Sequence, residues 1–291
     1  MSEPVIGVNI EDSHISVGLV NIETRKVIPD SVQRKRVDPK GSADQIIAAW
    51  TKVLREVAGE CNRIGIGLPG QCDYETGILQ TIMNDTSRYS SLYHKNLKQI
   101  FSSALNTSTE NVKLMNDAAC FLQGEVFSGS GRGFSKSIGI TLGVGLGSAI
   151  YANGVVTDAN KHSSPFKGST AESYISVKWI LRRYNELSGS NATDLSDLRN
   201  VADSDSRVTQ VFEEFANNLS EFLLSFIKET NPEVVVIGGF MELYNRYFFD
   251  SLTDKMTAMG VRIPVLRAVL GEQASIIGAA SAWYDATPIH A

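Results

Sequence analysis

The chain has 291 residues, of which 43% are hydrophobic, and a formal net charge of −5 at pH 7. This length suits two packed lobes, and the acidic balance argues against nonspecific binding of nucleic acid. No apolar run reaches the roughly 18 residues of a membrane span, so we expect a cytoplasmic protein without a membrane partner. Three cysteines without CxxC spacing give no support to a disulfide framework or a cysteine zinc site.

The N-terminal region has the pattern of paired strands. Apolar and polar residues alternate over 5–10 and 15–20, and a further extended stretch covers 27–37. This alternation predicts an antiparallel three-stranded meander. Within it, the basic residues 34–36 are interpreted as a solvated strand face, with nucleic-acid contact as a remote alternative.

Strands and helices alternate in the region that follows. Ser42 and Gln45 have the spacing of a capping box, and the apolar residues after them predict a helix that packs on the sheet. The sequence "RIGIGLPG" at 63–70 predicts a short buried strand closed by Pro-Gly, and "VKLM" at 112–115 predicts another. The alternation indicates an α/β lobe.

The same pattern then begins a second time. "SIGITL" at 137–142 predicts a strand, 143–147 a glycine-rich loop, and "SAIYANGVV" two strands joined by an Asn-Gly turn. Helices are predicted over 172–184, over 208–228 and from 241, with strands in "VVVIGG" and "IPVLRAVL" and a terminal helix in "EQASIIGAASAWY". We place the junction between the lobes near Asp117, with a return crossing near Gln273.

Asn116 and Asp117 stand where a buried strand ends and a helix begins. Strand ends are the usual place of ligand sites in α/β sheets. There, Asp117 is a candidate general base, and Asn116 offers donor and acceptor atoms to a polyol. Asn and Asp are also preferred as helix N-caps, so a purely structural role for Asp117 is the alternative.

Two glycine-rich segments also follow strands. Gly143, Gly145 and Gly147 allow backbone N–H groups to approach an anion, and successive N–H groups can form a phosphate nest. Gly238 and Gly239 lie between a strand and a helix, whose N-terminus favours a nucleotide phosphate. Each segment alone is better explained as a tight turn, whereas the two together suggest a nucleotide site.

The remaining polar candidates have weaker patterns. Glu172 lies near the start of a predicted helix, where carboxylates often only complement the helix dipole. The four histidines have no spacing that predicts a metal site: His14, His94, His162 and His290.

The order of these motifs resembles the ROK family of sugar kinases and regulators, within the actin-like ATPase superfamily. The resemblance covers nearly the whole chain, from the meander and "GIGLPG" through "TLGVGLGSAIYANG" to "VLRAVLGEQASIIGAA". It implies an α/β, two-lobed actin-like ATPase (ribonuclease H-like) fold, with mixed sheets and flanking helices. The predicted lobes are residues 1–117 with 273–291, and residues 118–272.

The resemblance also implies a glucokinase-like activity, which transfers the γ-phosphate of ATP to a hexose hydroxyl. By position, Asp117 matches the catalytic base, and Asn116, Asn84 and Glu172 match sugar contacts. His162 stands near a histidine of the family's sugar site, with a plain surface histidine as the alternative. The family resemblance further suggests a homodimer.

The implied cofactors are ATP and Mg²⁺. Gly143, Val144 and Gly145 match the second phosphate loop of the family, and Gly238 with Gly239 matches the glycines on the adenosine side. The first phosphate loop is D-x-G-G-T in the family. Here the corresponding residues are 9–13, which run from Asn9 to Ser13.

The chain departs from the family pattern in ways that keep other functions open. The loop at 9–13 lacks the carboxylate that holds the waters of magnesium, and Glu11 and Asp12 replace its glycines. Ser13 still offers a hydroxyl. The cysteine-rich zinc motif is absent, so no structural zinc is expected.

The alternatives are a catalytically weak or inactive sugar-binding protein and a kinase that uses another phosphoryl donor, such as polyphosphate. A ROK-type repressor is disfavoured because the sequence starts directly at the first strand.

Overall fold

The computed structural model describes residues 3–70, 72–80 and 89–284. Its contacts divide the chain into two compact units, which we call unit 1 (residues 1–132 and 272–291) and unit 2 (residues 133–271). Among the described residues, every helix is too short or too polar to cross a bilayer.

Unit 1 is built on a six-stranded sheet with flanking helices. Its elements in chain order are β1 (Val5–Ile10), β2 (His14–Asn21), β3 (Lys26–Val27), β4 (Gln33–Arg36), α1 (Ala43–Ala58), β5 (Ile64–Leu68), β6 (Cys72–Asp73), β7 (Ile78–Leu79), α2 (Leu97–Leu105), β8 (Val112–Asn116), α3 (Asp117–Ser128) and, after unit 2, the helix Gln273–Ser281. The strand order is β3–β2–β1–β5–β8, and β4 also pairs with β2. β1 is antiparallel to β2 and parallel to β5, which is parallel to β8.

The predicted meander is correct in its first two strands and wrong in its third. The stretch 27–37 is not one strand, because β3 and β4 pair separately with β2. Pro29, in the gap, has no backbone N–H to give to the ladder, and Asp30 has a left-handed φ of 61°. The two residues therefore interrupt the strand.

One face of the unit 1 sheet packs on α1. Ser42 and Gln45 form the predicted capping box at the start of this helix. Its apolar face buries Trp50 and Leu54, which share a core with Ile6 of β1. Complete burial of one such side chain contributes about 1.5–3 kcal/mol.

The other face of the sheet packs on the helix Gln273–Ser281, which also contacts α3. A Cβ atom at Gly7 would lie 2.2 Å from the carbonyl oxygen of Ile276, and one at Gly278 would lie 1.8 Å from the carbonyl oxygen of Cys120. These approaches of backbone to backbone require glycine. Through its contact with α8, α3 belongs to unit 1, and so does its first residue, Asp117. The predicted boundary near Asp117 had assigned α3 to the second lobe.

Unit 2 is built on a five-stranded sheet. Its elements are β9 (Lys136–Leu142), β10 (Leu146–Ala152), β11 (Val155–Asp158), β12 (Pro165–Phe166), β13 (Ser169–Thr170), α4 (Val177–Ser188), α5 (Leu195–Val201), α6 (Ser206–Thr230), β14 (Val234–Gly238), α7 (Phe249–Ala258) and β15 (Val265–Arg267). With these elements numbered, the helix Gln273–Ser281 of unit 1 is α8. The strand order is β11–β10–β9–β14–β15.

The second strand pair follows the prediction, and one helix does not. β10 and β11 are joined at Asn153 and Gly154, which have φ values of 54° and 82°, as a tight hairpin turn requires. The helix predicted over 172–184 is divided into a 3-10 turn, Ala171–Ser173, and α4. The division falls at Ser176, whose side chain caps α4 by accepting a bond from the Trp179 N–H.

Candidate functional site

The carboxyl ends of three parallel strands meet at one edge of the unit 1 sheet. β1 and β5 pair with Asn9 opposite Gly67, and β5 and β8 pair with Leu68 opposite Asn116. Because parallel strands point the same way, the turn after β1 and the start of α3 lie at the same edge. This edge carries the predicted site residues of unit 1.

Asn116 and Asp117 have different roles at the start of α3. Asn116 is the N-cap, and its Oδ1 accepts a hydrogen bond of 3.1 Å from the Ala119 N–H. The capping role that the sequence left open for Asp117 therefore belongs to its neighbour. Asp117 is the first helical residue, half-buried, with Oδ1 2.9 Å from the Ala118 nitrogen.

Cys120 lies one turn further along α3, against the sheet. It is fully buried. Burial, with an added contribution from the nearby Asp117 carboxylate, raises the pKa of the Cys120 thiol well above its ordinary value. The thiol is therefore neutral and acts as a packing group.

Asn9, predicted to bind the cofactor, is buried near the end of β1. The residue is only 7% exposed, and its Nδ2 donates to Oε1 of Glu11 at 3.2 Å. Its Oδ1 has no hydrogen-bond partner among the residues that the structure describes. The amide therefore supports the following turn and presents little surface.

The turn between β1 and β2, residues 11–13, is closed by several hydrogen bonds. The Glu11 N–H donates to the His14 carbonyl at 2.9 Å, and the Tyr89 hydroxyl donates to the Glu11 carbonyl at 2.8 Å. The hydroxyl of Ser13, another predicted cofactor contact, is 3.0 Å from Nδ1 of His14. The turn is a compact hairpin without a glycine.

Arg34 is a residue at this edge that the sequence reasoning missed. It lies on β4, and its guanidinium donates to Oε2 of Glu11 at 2.9 Å and to Oε1 of Glu272 at 2.8 Å. The basic residues of β4 are exposed, as predicted, but Arg34 also neutralises one of the two carboxylates of the turn.

The glycine loop of unit 2 is shorter than predicted. It covers 143–145, because β10 already begins at Leu146 and includes Gly147. Gly143 donates its N–H to the Gly145 carbonyl at 3.0 Å, and its own carbonyl accepts from Val177 at 2.9 Å. Val144, at the tip, is 41% exposed.

Glu172 lies directly against this loop. Its Oε2 accepts a hydrogen bond of 3.0 Å from the Leu146 N–H. A Cβ atom at Gly145 would lie only 2.5 Å from the same oxygen. The Glu172 carboxylate is therefore in direct contact with the glycine loop. The sequence did not predict this contact, because Glu172 and the loop are well separated along the chain.

The glycine pair after β14 lies beside the start of the glycine loop. Gly238 pairs with Thr141 at the ends of β14 and β9. A Cβ atom at Gly239 would lie 2.7 Å from the Leu142 carbonyl oxygen, directly before the glycine loop. The structure thus brings Glu172 and the two predicted glycine segments together.

The structure describes one of the two other predicted sugar contacts. His162 is exposed on a short 3-10 helix, Lys161–Ser163. Asn84 lies outside the described residues.

Among the described residues, no group of three or more His, Cys, Asp or Glu side chains could hold a metal ion. Mg²⁺ in phosphoryl-transfer sites is usually held by one or two carboxylates and the phosphates. At the β1–β2 turn, Asn9 is uncharged and the Glu11 carboxylate is bonded to Asn9 and Arg34. A magnesium ion at this turn would therefore meet Asp12 as the other carboxylate.

The two α/β units have the architecture of the actin-like ATPase fold, which is shared by solved ROK kinases. The sequence profile of the ROK family matches residues 5–286, and the chain belongs to this family.

Several known proteins are similar to the chain over most of its length. The glucokinase of Thermotoga maritima is 27% identical, with 95% of this chain and 96% of the relative covered. The N-acetyl-D-glucosamine kinase of Pectobacterium carotovorum is 21% identical, with 83% and 85% covered. The ROK glucokinase of Streptomyces griseus, solved with glucose and AMPPNP, is 21% identical with a TM-score of 0.77, covering 96% and 99%.

Proposed function

We propose that the protein is a sugar kinase that transfers the γ-phosphate of ATP to a hexose hydroxyl, with Asp117 as general base. The observation that carries this proposal is the division of roles at α3. Asn116 caps the helix, so the Asp117 carboxylate at the strand end does not serve as the cap. Membership of the ROK family and the sugar-kinase names of the relatives support the same activity.

In this proposal Asp117 accepts the proton of the attacking hydroxyl. Such a base typically contributes about 10²- to 10⁴-fold to the rate, and positioning of the reactants supplies much of the rest. Asn116 fixes the start of α3 and thereby the backbone that carries the base. The amide nitrogen of Asn116 is the group that we assign to the sugar.

Glu172 is proposed as a second sugar contact. Its Oε2 is held by the Leu146 N–H. The described structure shows no bond to Oε1, which we assign to a sugar hydroxyl. Asn84 and His162 are proposed as further sugar contacts from their positions in the family pattern.

The donor is proposed to approach the glycine segments. Val144 is exposed at the loop tip, and the Gly143 and Leu146 N–H groups are already bonded within the protein. We therefore assign the donor phosphates to the backbone around Val144 and Gly145. Asn9 and Ser13 of the β1–β2 turn are proposed as further donor contacts from their positions in the family pattern. We assign the nucleoside side to Gly238 and Gly239.

The test is ADP release from MgATP across a panel of hexoses and N-acetylated hexosamines. Asp117→Asn is expected to reduce sugar-dependent turnover by at least about 10²-fold, the lower end for loss of a general base. The matched control is Asp44→Asn, which removes an exposed carboxylate from the first turn of α1. Sugar-dependent turnover that survives in Asp117→Asn, with the fold intact, would exclude the assigned base.

A second candidate function is a sugar-binding protein without efficient catalysis. The bonds that tie Glu11 to Asn9 and Arg34 favour it, because they engage both oxygens of a carboxylate that could otherwise bind magnesium. Calorimetry separates the two functions. A kinase is expected to bind sugar more tightly in the presence of a non-hydrolysable MgATP analogue, and a sugar-binding protein is expected to show no such coupling.

A further inference from the structure

The side chains of Asn9, Ser16 and Arg34 form a row across three strands of unit 1. Asn9 of β1 is opposite Ser16 of β2, and Ser16 is opposite Arg34 of β4. Residues directly opposite each other on neighbouring strands project from the same face of a sheet. The neighbouring Lys35 is opposite Ile15, so its side chain belongs to the other face.

The Glu11 carboxylate is held through both of its oxygens. Oε1 accepts from Asn9 at 3.2 Å, and Oε2 accepts from Arg34 at 2.9 Å. The amide at position 9 is the group that makes this possible, because a carboxylate there would repel Glu11. Asn9, Glu11 and Arg34 therefore form one interdependent set.

Arg34 joins this set to α8. Its planar guanidinium bonds two carboxylates at once, Glu11 and Glu272, a geometry that the fork of an arginine suits. The side chains of Arg34 and Glu11 are 40% and 35% exposed. Their charges therefore act on groups that approach the turn from solvent, and salt screens part of the effect.

We infer that Arg34 is a positioning residue of the donor site: it neutralises Glu11 and so lets the phosphate chain of the donor approach the β1–β2 turn. The inference rests on the proposed kinase function. The turn contains two acidic residues, Glu11 and Asp12, whose charges repel a triphosphate. The Arg34 guanidinium, 2.9 Å from Oε2 of Glu11, offsets the Glu11 charge.

The test measures binding of a non-hydrolysable ATP analogue by calorimetry, with and without Mg²⁺. Arg34→Gln is expected to weaken binding by at least about 5-fold at low salt, and the deficit is expected to shrink as salt is added. Arg34→Lys keeps the charge without the planar fork, and is expected to lose less affinity than Arg34→Gln. Lys35→Gln removes the same charge from the opposite face of the same strand, and is the matched control.

The double variant Glu11→Gln/Arg34→Gln decides how Arg34 acts. If Arg34 acts by neutralising Glu11, removal of both charges is expected to restore affinity to within about 3-fold of wild type. A double variant as weak as Arg34→Gln would overturn the inference. It would also be overturned if Arg34→Gln bound like wild type, or if Arg34→Lys lost as much affinity as Arg34→Gln.

Failure of the inference can be told apart from failure of the proposed function. Wild-type protein that phosphorylates sugar while Arg34→Gln binds the analogue equally well would reject only the role of Arg34. Wild-type protein that neither binds the analogue nor turns over ATP would reject the proposed donor, and the role of Arg34 with it. Thermal unfolding of each variant shows whether weaker binding comes from loss of the fold.

Discussion

At the scale of single residues, Gly145 shows why a glycine-rich loop is ambiguous in a sequence. The pattern of glycines at 143, 145 and 147 predicted close approach to a phosphate. In the structure, the closest group to Gly145 is the carboxylate of Glu172. The absence of a side chain at 145 is therefore needed by the protein itself, whether or not a phosphate also approaches.

This contact predicts different effects for two substitutions in the same loop. Gly145→Ala would place Cβ 2.5 Å from Glu172 Oε2, whereas at Gly143 the nearest atom is 4.0 Å away. We expect Gly145→Ala to displace the carboxylate and lower the free energy of unfolding by about 1–2 kcal/mol, as the Leu146 N–H loses its partner. Urea unfolding measures the loss. Gly143→Ala is the control, and equal stability of the two variants would contradict the contact.

Asp117 and Asn116 were predicted as site residues because strand, polar pair and helix follow one another in the chain. The sequence could not decide which of the two caps α3, since that depends on which side chain reaches the Ala119 N–H. Arg34 was missed for a different reason. Its partner Glu272 is separated from it by 238 residues, so the residues around Arg34 in the sequence do not indicate this pair.

At the scale of elements, the sequence predicted one helix start correctly and missed a break within a strand. Ser42 and Gln45 act within one turn, and the capping box they predicted is present. The third strand of the meander was predicted as one extended stretch over 27–37, and Pro29 was not taken into account. The separate pairing of β3 and β4 agrees with an interruption at Pro29, which has no backbone N–H.

The long helix α6 begins at a cap whose charge can be tested by pH. Asp205 is the N-cap, with Oδ1 accepting from the Arg207 N–H at 3.0 Å. Hydrogen bonds from the Arg207 guanidinium, and then from the Tyr184 hydroxyl, lower the pKa of Asp205 to about 2. A lowered pKa means that the ionised form stabilises the folded state above the unfolded pKa near 4.

Asp205→Asn is therefore expected to lower stability at neutral pH. Asparagine is a good N-cap, so the loss reflects the charge of the carboxylate. The difference between wild type and variant is expected to disappear as the pH falls from about 4 to about 2, because Asp205 becomes protonated in that window. Thermal unfolding across this range measures it, with Asp203→Asn as the exposed control. A difference that persists at pH 2 would contradict the charged cap.

At the scale of the whole molecule, unit 1 is assembled from two separated parts of the chain. α8 follows unit 2 in sequence and packs on β1, β5 and α3 of unit 1. The return to the first lobe was predicted near Gln273, where α8 begins. The small residues of this helix gave the signal, since they suit close packing. The division near residue 132 had no such signal, because α3 reads as an ordinary helix in either unit.

The packing of α8 predicts that damage to this helix is confined to unit 1. Gly278→Val would force side-chain atoms into the Cys120 carbonyl, and we expect a loss of about 3 kcal/mol. Hydrogen exchange resolved by peptide should show weaker protection in β1, β5 and α3 and unchanged protection in β9 and β14.

The control is Gln273→Val, which adds the same side chain at an exposed position of the same helix. Equal loss of protection in both units would show that they unfold as one, against the confinement predicted from the separate cores.

The late position of α8 also orders the events of synthesis on the ribosome. β1 is among the first segments to emerge, yet the carbonyl of Ile276 that covers Gly7 is made only after all of unit 2. Unit 2 has its own core and is free to fold as it emerges, in keeping with the tendency of domains to fold as units. The earliest strands of the nascent chain thus keep the face that carries Gly7 and Gly65 uncovered until translation has passed residue 281. During that interval the backbone that α8 later covers stays accessible to solvent.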